Sequence, residues 1–470
     1  MPQRHIANVD VTYYLMLLDG DGAERPELDG SLLSAKLADL VKDGVTDVFV
    51  ASHGWMGDIP AAISQYDRWI AVMAQQSADR AQARTLVPDF KALTIGIHWP
   101  SMPWGDENAG SAVLGDDGDD DLAHEREMPA DELVDRYADR IADTPAARDA
   151  LDTILAAAND PTIEGDFESG ELPDRLEAAY QTLFQEAGLG TGGPAAAPGA
   201  DQDQFSPVET ARQWVSAIGG ADGTGVAPGS PGVLGGGLFG SLRDLVLGPV
   251  RQVSFWAMKH RARNVGERAV HTLVRTLQQQ APNARIHLMG HSFGCIVVSA
   301  AVAGPMEDGR FADPLPRPVD SLFLVQGAMS LWSFAGQIPF ESKPPGYYRA
   351  VCVEPRVVAG PVVTTMSSHD RAVGTFFPLA ARAGGELTLG PDDYPEYGGT
   401  GAFGAQGTEP TVAHEILAAT SQYRFEPGTT YNIDASSVIC NGGGASGAHS
   451  DIAHDQVAHI FWQAALSSLQ

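Results

Sequence analysis

Gly290-His291-Ser292-Phe293-Gly294 sets a serine between two glycines with an imidazole beside it. A serine hydroxyl is a weak nucleophile until a base removes its proton, and a neutral imidazole works as that base near pH 7. A carboxylate completes the chemistry by fixing the imidazole's tautomer and stabilising the imidazolium that forms. In a chain with 52 glycines the pentapeptide alone carries little weight. Its meaning comes from context. G-x-S-x-G presents a nucleophile where a strand turns sharply into a helix, holding the serine in a strained backbone conformation with no side chain at either glycine to collide.

The neighbouring residues supply that context. Arg285 to Met289 reads as a strand directly after Pro282, and Cys295 to Ala303 is a small, apolar segment suited to a buried helix. Upstream, strands at Val11 to Leu18, Asp47 to Ser52 and Leu93 to His98 alternate with helical spacing at Leu32 to Lys42 and Ile59 to Arg80. A long helix is predicted over Ser254 to Gln280, and later strands at Ser321 to Gln326, Ala350 to Val353, Val362 to Met366 and Tyr431 to Ile439. This alternation predicts an α/β fold, a mostly parallel central sheet with helices on both faces.

With Ser292 between strand and helix, the chain resembles the α/β-hydrolase superfamily. The resemblance implies a triad in the chain order Ser, acid, His. The acid should follow a later strand, which makes Asp370 the matching position. The histidine should follow the last strand, and the loop after Ile439 carries His449, with a final helix from Ile452 to Leu466 capped by Ser450 or Asp451. His454 and His459 compete less well because they fall on that helix. Asp451 and Asp434 compete with Asp370, one lying beyond the histidine and the other inside a strand.

The same resemblance implies an oxyanion hole of two backbone N–H groups, from Phe293 and from the loop His53-Gly54-Trp55, with Trp55 as donor and Met56 as the fallback. His53, Met56, His291, Trp99 and Trp104 are candidate pocket residues, since ligands bind at the carboxyl ends of such strands. A core or rim role suits the two tryptophans equally. The implied reaction is cleavage of a carboxylic ester, small-molecule or lipid-like, through an acyl-enzyme, with no cofactor and no metal. A peptidase or thioesterase could use the same triad, and a non-catalytic scaffold could bind a partner through the insertion described next.

Residues 105 to 250 interrupt the catalytic pattern, which is written in residues 1 to 104 and 251 to 470. The insertion opens with an acidic run, Asp116 to Asp121, that lacks the spacing of a calcium loop. Helices are predicted near Ala130 to Ala142, Ala146 to Ala158 and Asp174 to Ala187. From Gly188 to Gly240 the chain is rich in Gly, Pro, Ala and Ser and forms regular structure poorly. The apolar residues Val233, Leu234, Leu238, Phe239, Leu242, Leu245, Val246, Leu247 and Val250 then read either as a mobile lid or as a segment packed on the core.

Composition narrows the function further. Sixty acidic against 30 basic residues leave a formal charge of −30. That balance disfavours nucleic acid, which needs clustered Lys and Arg to displace counterions. No apolar run approaches the roughly 18 residues of a membrane span, and the polar N-terminus does not read as a signal peptide, so a cytoplasmic location is expected. Cys295, Cys352 and Cys440 are far apart in apolar surroundings and read as buried structural thiols, without the CxxC spacing of a zinc site.

Overall fold

The computed structural model describes residues 3–54, 59–101, 129–189, 205–212, 242–307, 310–340, 345–353, 356–376, 394–443 and 447–469. Nine of its strands form one sheet: β1 (Gln3–Ile6), β2 (Val11–Leu17), β3 (Asp47–Ser52), β4 (Ala92–His98), β5 (Arg285–His291), β8 (Ser321–Val325), β9 (Val362–Met366), β10 (Thr411–Glu415) and β11 (Thr430–Asp434). Two further short strands, β6 (Met306–Glu307) and β7 (Arg310–Phe311), pair only with each other. The sheet order is β1-β2-β4-β3-β5-β8-β9-β11-β10, with β1 antiparallel to β2 and every other pair parallel.

Alternate residues along the central strands enter opposite cores, as a period of two requires. Val48, Val50, Ile286, Leu288, Leu322 and Leu324 join one buried cluster, and Phe49, Ala51, Met289, Phe323 and Val325 join the other. The first cluster is closed by the helices Leu33–Leu40, Leu242–Val265, His271–Gln280 and Gly294–Ala303. The second is closed by Ile59–Gln75, Ser77–Leu86 and Asp455–Ser467. Helices therefore cover both faces, and the nearly continuous apolar runs of β3, β5 and β8 follow from burial on both sides.

Within residues 105–250 the described part is helical at Ala130–Ile141, Pro145–Ala157, Ile163–Ser169 and Asp174–Glu186, and it shares the first core cluster. The Tyr180 hydroxyl donates to Val246 O at 2.7 Å; Phe184 and Phe205 stack with centroids 5.0 Å apart, and Trp256 meets both rings edge-on at 5.8 Å. Leu245, Val246, Leu247 and Val250 are buried in that cluster, which is the core-packed alternative for those residues. The acidic run Asp116 to Asp121, Val233, Leu234, Leu238 and Phe239 lie outside the described residues.

Several expectations need correcting. Ala350 to Val353 is not a strand: Arg349–Val351 makes one tight turn, and Val351 and Cys352 pack into the core, a short apolar run that periodicity cannot classify. The edge strands β1 and β10 carry too many exposed residues to give a strand pattern. The helix expected from Ser254 begins at Leu242, passes through Pro249, and runs to Gln280 with a wider turn at Gly266–Val270. The Ile59 to Arg80 helix breaks at Gln76 into two. The last helix starts at Asp455 after His454, so neither Ser450 nor Asp451 caps it. The Asp451 carboxylate instead accepts the N–H groups of Cys440 and Asn441. Cys295 and Cys352 are buried, but Cys440 is exposed, because the chain leaves the core after Ile439. No helix among the described residues is long and apolar enough to cross a membrane.

Candidate active site

The carboxyl ends of the parallel strands lie along one edge, and the candidate residues converge there. β5 ends at His291 and the next helix starts at Gly294, so Ser292 and Phe293 alone make the reversal. Ser292 takes a φ of +56°, the left-handed region that L side chains seldom adopt. The turn is tight enough that a Cβ on Gly290 would lie 2.4 Å from Gly294 O, and one on Gly294 would lie 2.1 Å from Ser52 O. Glycine is required at both places by contact with backbone that cannot move aside.

Ser292 Oγ lies 2.8 Å from His449 Nε2, and His449 Nδ1 lies 2.8 Å from Asp370 Oδ2. All three residues are buried, at 1%, 3% and 2% exposure. Their loops are joined through backbone: Ala448 N–H donates to His369 O at 2.9 Å, and Asp370 pairs with Gly447 in an isolated bridge. Asp370 Oδ1 accepts Val373 N–H at 2.9 Å, and Oδ2 also accepts the Gln326 side-chain amide at 2.9 Å. With Nδ1 donating to the carboxylate, Nε2 is left to accept the serine proton.

The loop after β3 lies directly over the serine. A Cβ on Gly54 would stand 2.3 Å from Ser292 Cβ and 2.9 Å from its Oγ. That loop is held from beneath by two imidazoles. His53 Nδ1 donates to Gly54 O at 2.9 Å, so Nε2 accepts from His98 Nδ1 at 3.1 Å. The His53 ring lies parallel to Trp99, 6.0 Å between centroids, and Trp99 Nε1 donates to His53 O at 3.3 Å. Tyr66 ties β3 to β4, its hydroxyl accepting His53 N–H and donating to Ile97 O at 2.7 Å. Burial lowers His53 to about 4, and burial together with the nearby His53 and Arg25 lowers His98 to about 2. Both rings are neutral at pH 7.

His291 supports the other side. Its Nε2 donates to His449 O at 2.9 Å, and its Nδ1 accepts from Gln65 Nε2 at 3.1 Å. Burial, and then the nearby His449 ring, push it down to about 3. Of the candidate pocket residues, His53, His291 and Trp99 are thus buried and hydrogen-bonded to the loops that carry the site. Trp55, Met56 and Trp104 lie outside the described residues. Phe293 is buried at the start of the helix Gly294–Ala303, its ring 5.2 Å from Phe255. Of the rivals, His459 pairs with Asp79, His454 pairs with Asp451, and Asp434 accepts from Ser436, all away from Ser292.

Gln326, Gln65, Tyr66 and Thr365 went unmarked in the sequence, and His98 stood out only as the end of a strand at the same sheet edge. The one signal for Gln326 is a polar residue closing an apolar strand at the edge where the site lies.

The fold and the site together define an α/β protein with a buried Ser–His–Asp hydrogen-bond chain at the carboxyl edge of its sheet. Comparison with known proteins finds nothing similar: no protein-family model, curated protein or solved structure matches the chain.

Proposed function

We propose that the chain is a serine hydrolase of the α/β-hydrolase type that cleaves carboxylic esters. The observation that carries this reading is the continuous chain Ser292 Oγ, His449 Nε2, His449 Nδ1, Asp370 Oδ2, both links 2.8 Å. The left-handed Ser292 between β5 and a helix supports it, as does the strand order around β3 and β5.

In the proposed reaction His449 Nε2 takes the Ser292 proton as Oγ bonds to the ester carbonyl carbon. The oxyanion forms beside the N-terminus of the helix Gly294–Ala303, where backbone N–H groups and the helix dipole favour negative charge. Phe293 N–H is one proposed donor, and the loop beginning at Gly54 supplies the second, assigned to Trp55. When the carbonyl re-forms, the alcohol leaves with the proton from His449 Nε2, and Ser292 carries the acyl group. Water then attacks that ester while His449 accepts its proton. Collapse releases the acid and returns the proton to Oγ. Asp370 keeps Nδ1–H oriented throughout.

A fluorophosphonate probe tests this directly. Folded wild-type protein should be labelled, Ser292→Ala should not, and a panel of acyl esters of increasing chain length should reveal turnover that amides of the same acids do not match. Folded wild type that resists labelling sinks the proposal in favour of a non-catalytic scaffold.

A further inference from the structure

Gln326 follows β8, is fully buried, and has a φ of +47°. Left-handed backbone crowds Cβ against the following carbonyl, so non-glycine residues rarely hold it without compensation. Among the described residues three non-glycine positions do so, and two of them, Ser292 and Gln326, end the neighbouring strands β5 and β8. Their turns interlock. Ser292 N–H donates to Val325 O at 3.1 Å, and Ala328 N–H donates to Ser292 O at 3.2 Å. The backbone that shapes the serine turn therefore also aims the Gln326 side chain.

That side chain has one consistent orientation. Oε1 accepts from the Thr365 hydroxyl at 3.1 Å, and the same hydroxyl oxygen accepts Gln326 N–H at 3.2 Å. Nε2 then meets two acceptors, Asp370 Oδ2 at 2.9 Å and Gly401 O at 3.4 Å. Reversing the amide would press its oxygen against a carboxylate. Asp370 Oδ2 is also the oxygen that accepts from His449 Nδ1, so the amide and the imidazole share it.

We infer that Gln326 is a positioning residue for the Ser292–His449–Asp370 chain, holding Asp370 Oδ2 in line with His449 Nδ1 and moderating the charge that the imidazole faces. The inference rests on the proposed hydrolase reading for its kinetic consequence. A hydrogen bond donated to a carboxylate offsets part of its charge, and a smaller negative charge beside an imidazole stabilises the imidazolium less. Among the described residues, the His291 ring also faces His449, 5.0 Å away between centroids and neutral.

The test follows the His449 titration by 15N NMR in histidine-labelled protein, assigned by its loss in His449→Gln, alongside the pH profile of kcat/KM. Gln326→Met keeps the length and removes the donor; the titration and the acid limb of the profile should both rise by about half a pH unit, and kcat should fall roughly tenfold. Thr365→Val leaves the amide without its orienting partner and should act in the same direction, which keeps the test alive if Gln326→Met does not fold. An unchanged His449 titration in the folded variants overturns the inference. A shifted titration in a protein whose wild type no fluorophosphonate labels upholds the positioning role and overturns the hydrolase reading instead.

Discussion

Three buried aspartate–histidine pairs lie among the described residues; His287–Asp47 is the longest at 3.2 Å, and the other two match on most measures. His449 and Asp370 are 2.8 Å apart, His459 and Asp79 are 2.7 Å apart, and all four are at most 3% exposed. Each carboxylate is also held by a glutamine amide, Gln326 on Asp370 and Gln463 on Asp79. They differ at the far nitrogen of the imidazole. His449 Nε2 meets the Ser292 hydroxyl at 2.8 Å, whereas His459 Nε2 meets Ser421 O at 2.5 Å. A hydroxyl has a proton to give and a carbonyl has none. The first pair can therefore act as a base, and the second can only tie the helices Ser77–Leu86 and Asp455–Ser467 to the loop at Ser421.

The largest test of this comparison sets the pairs against each other. On the proposed reading, Ser292→Ala and His449→Gln should each lower ester turnover by about 10⁴-fold or more, and Asp370→Asn by about 10⁴-fold through the wrong tautomer, with the fold retained. His459→Ala should do the opposite. Leaving Asp79 buried without its partner should cost about 3–5 kcal/mol in urea unfolding while turnover per folded molecule stays within a few-fold of wild type. Loss of turnover in folded His459→Ala protein would erase the distinction.

A smaller effect separates closeness to the serine from membership of a loop. Gly54→Ala puts a methyl where Ser292 Cβ already stands, so the loop or the serine must shift by more than an ångström. Displacement on that scale should lower kcat/KM by about 10²-fold. Gly443 lies on the loop that leads to His449, yet a Cβ there would meet nothing within 4 Å. Gly443→Ala should leave kcat/KM unchanged, and equal losses in the two variants would mean that loop mobility, not contact with Ser292, governs the site.

How much of this the sequence disclosed follows from where each signal lives. The α/β alternation was legible because β3, β5 and β8 are largely apolar runs between helical periods. The strands β1 and β10 were not, because exposed edge strands lack the alternation that burial imposes. Ser292, Asp370 and His449 could be placed by chain order after successive strands, and the structure brings these three together. Their supports could not be placed so. Gln65 and His291 are 226 residues apart, and His53 and His98 are 45 apart, so each hydrogen bond is a product of strand order and not of local spacing. The two dyads also look alike in sequence, a histidine with a distant aspartate, and only the atom facing Nε2 tells them apart.

The smallest predicted effect concerns the imidazoles that belong to neither pair. His291 is held near 3 when folded and has an ordinary value of about 6.5 when unfolded. Between those values the unfolded chain binds one proton that the native protein does not, so stability rises with pH. The contribution is complete above about pH 6.5 and is lost progressively as the pH falls toward 3, at up to about 1.4 kcal/mol per pH unit for each such ring. His53, held near 4, adds to the same slope over the upper part of that range. His291→Asn should therefore flatten the dependence of unfolding free energy on pH between 4 and 6 by about 1.4 kcal/mol per pH unit, whatever it does to stability at pH 7. Denaturant unfolding at three or four pH values measures this. An unaltered slope would mean that His291 takes up its proton in the folded state, and Nδ1 would then no longer accept from Gln65.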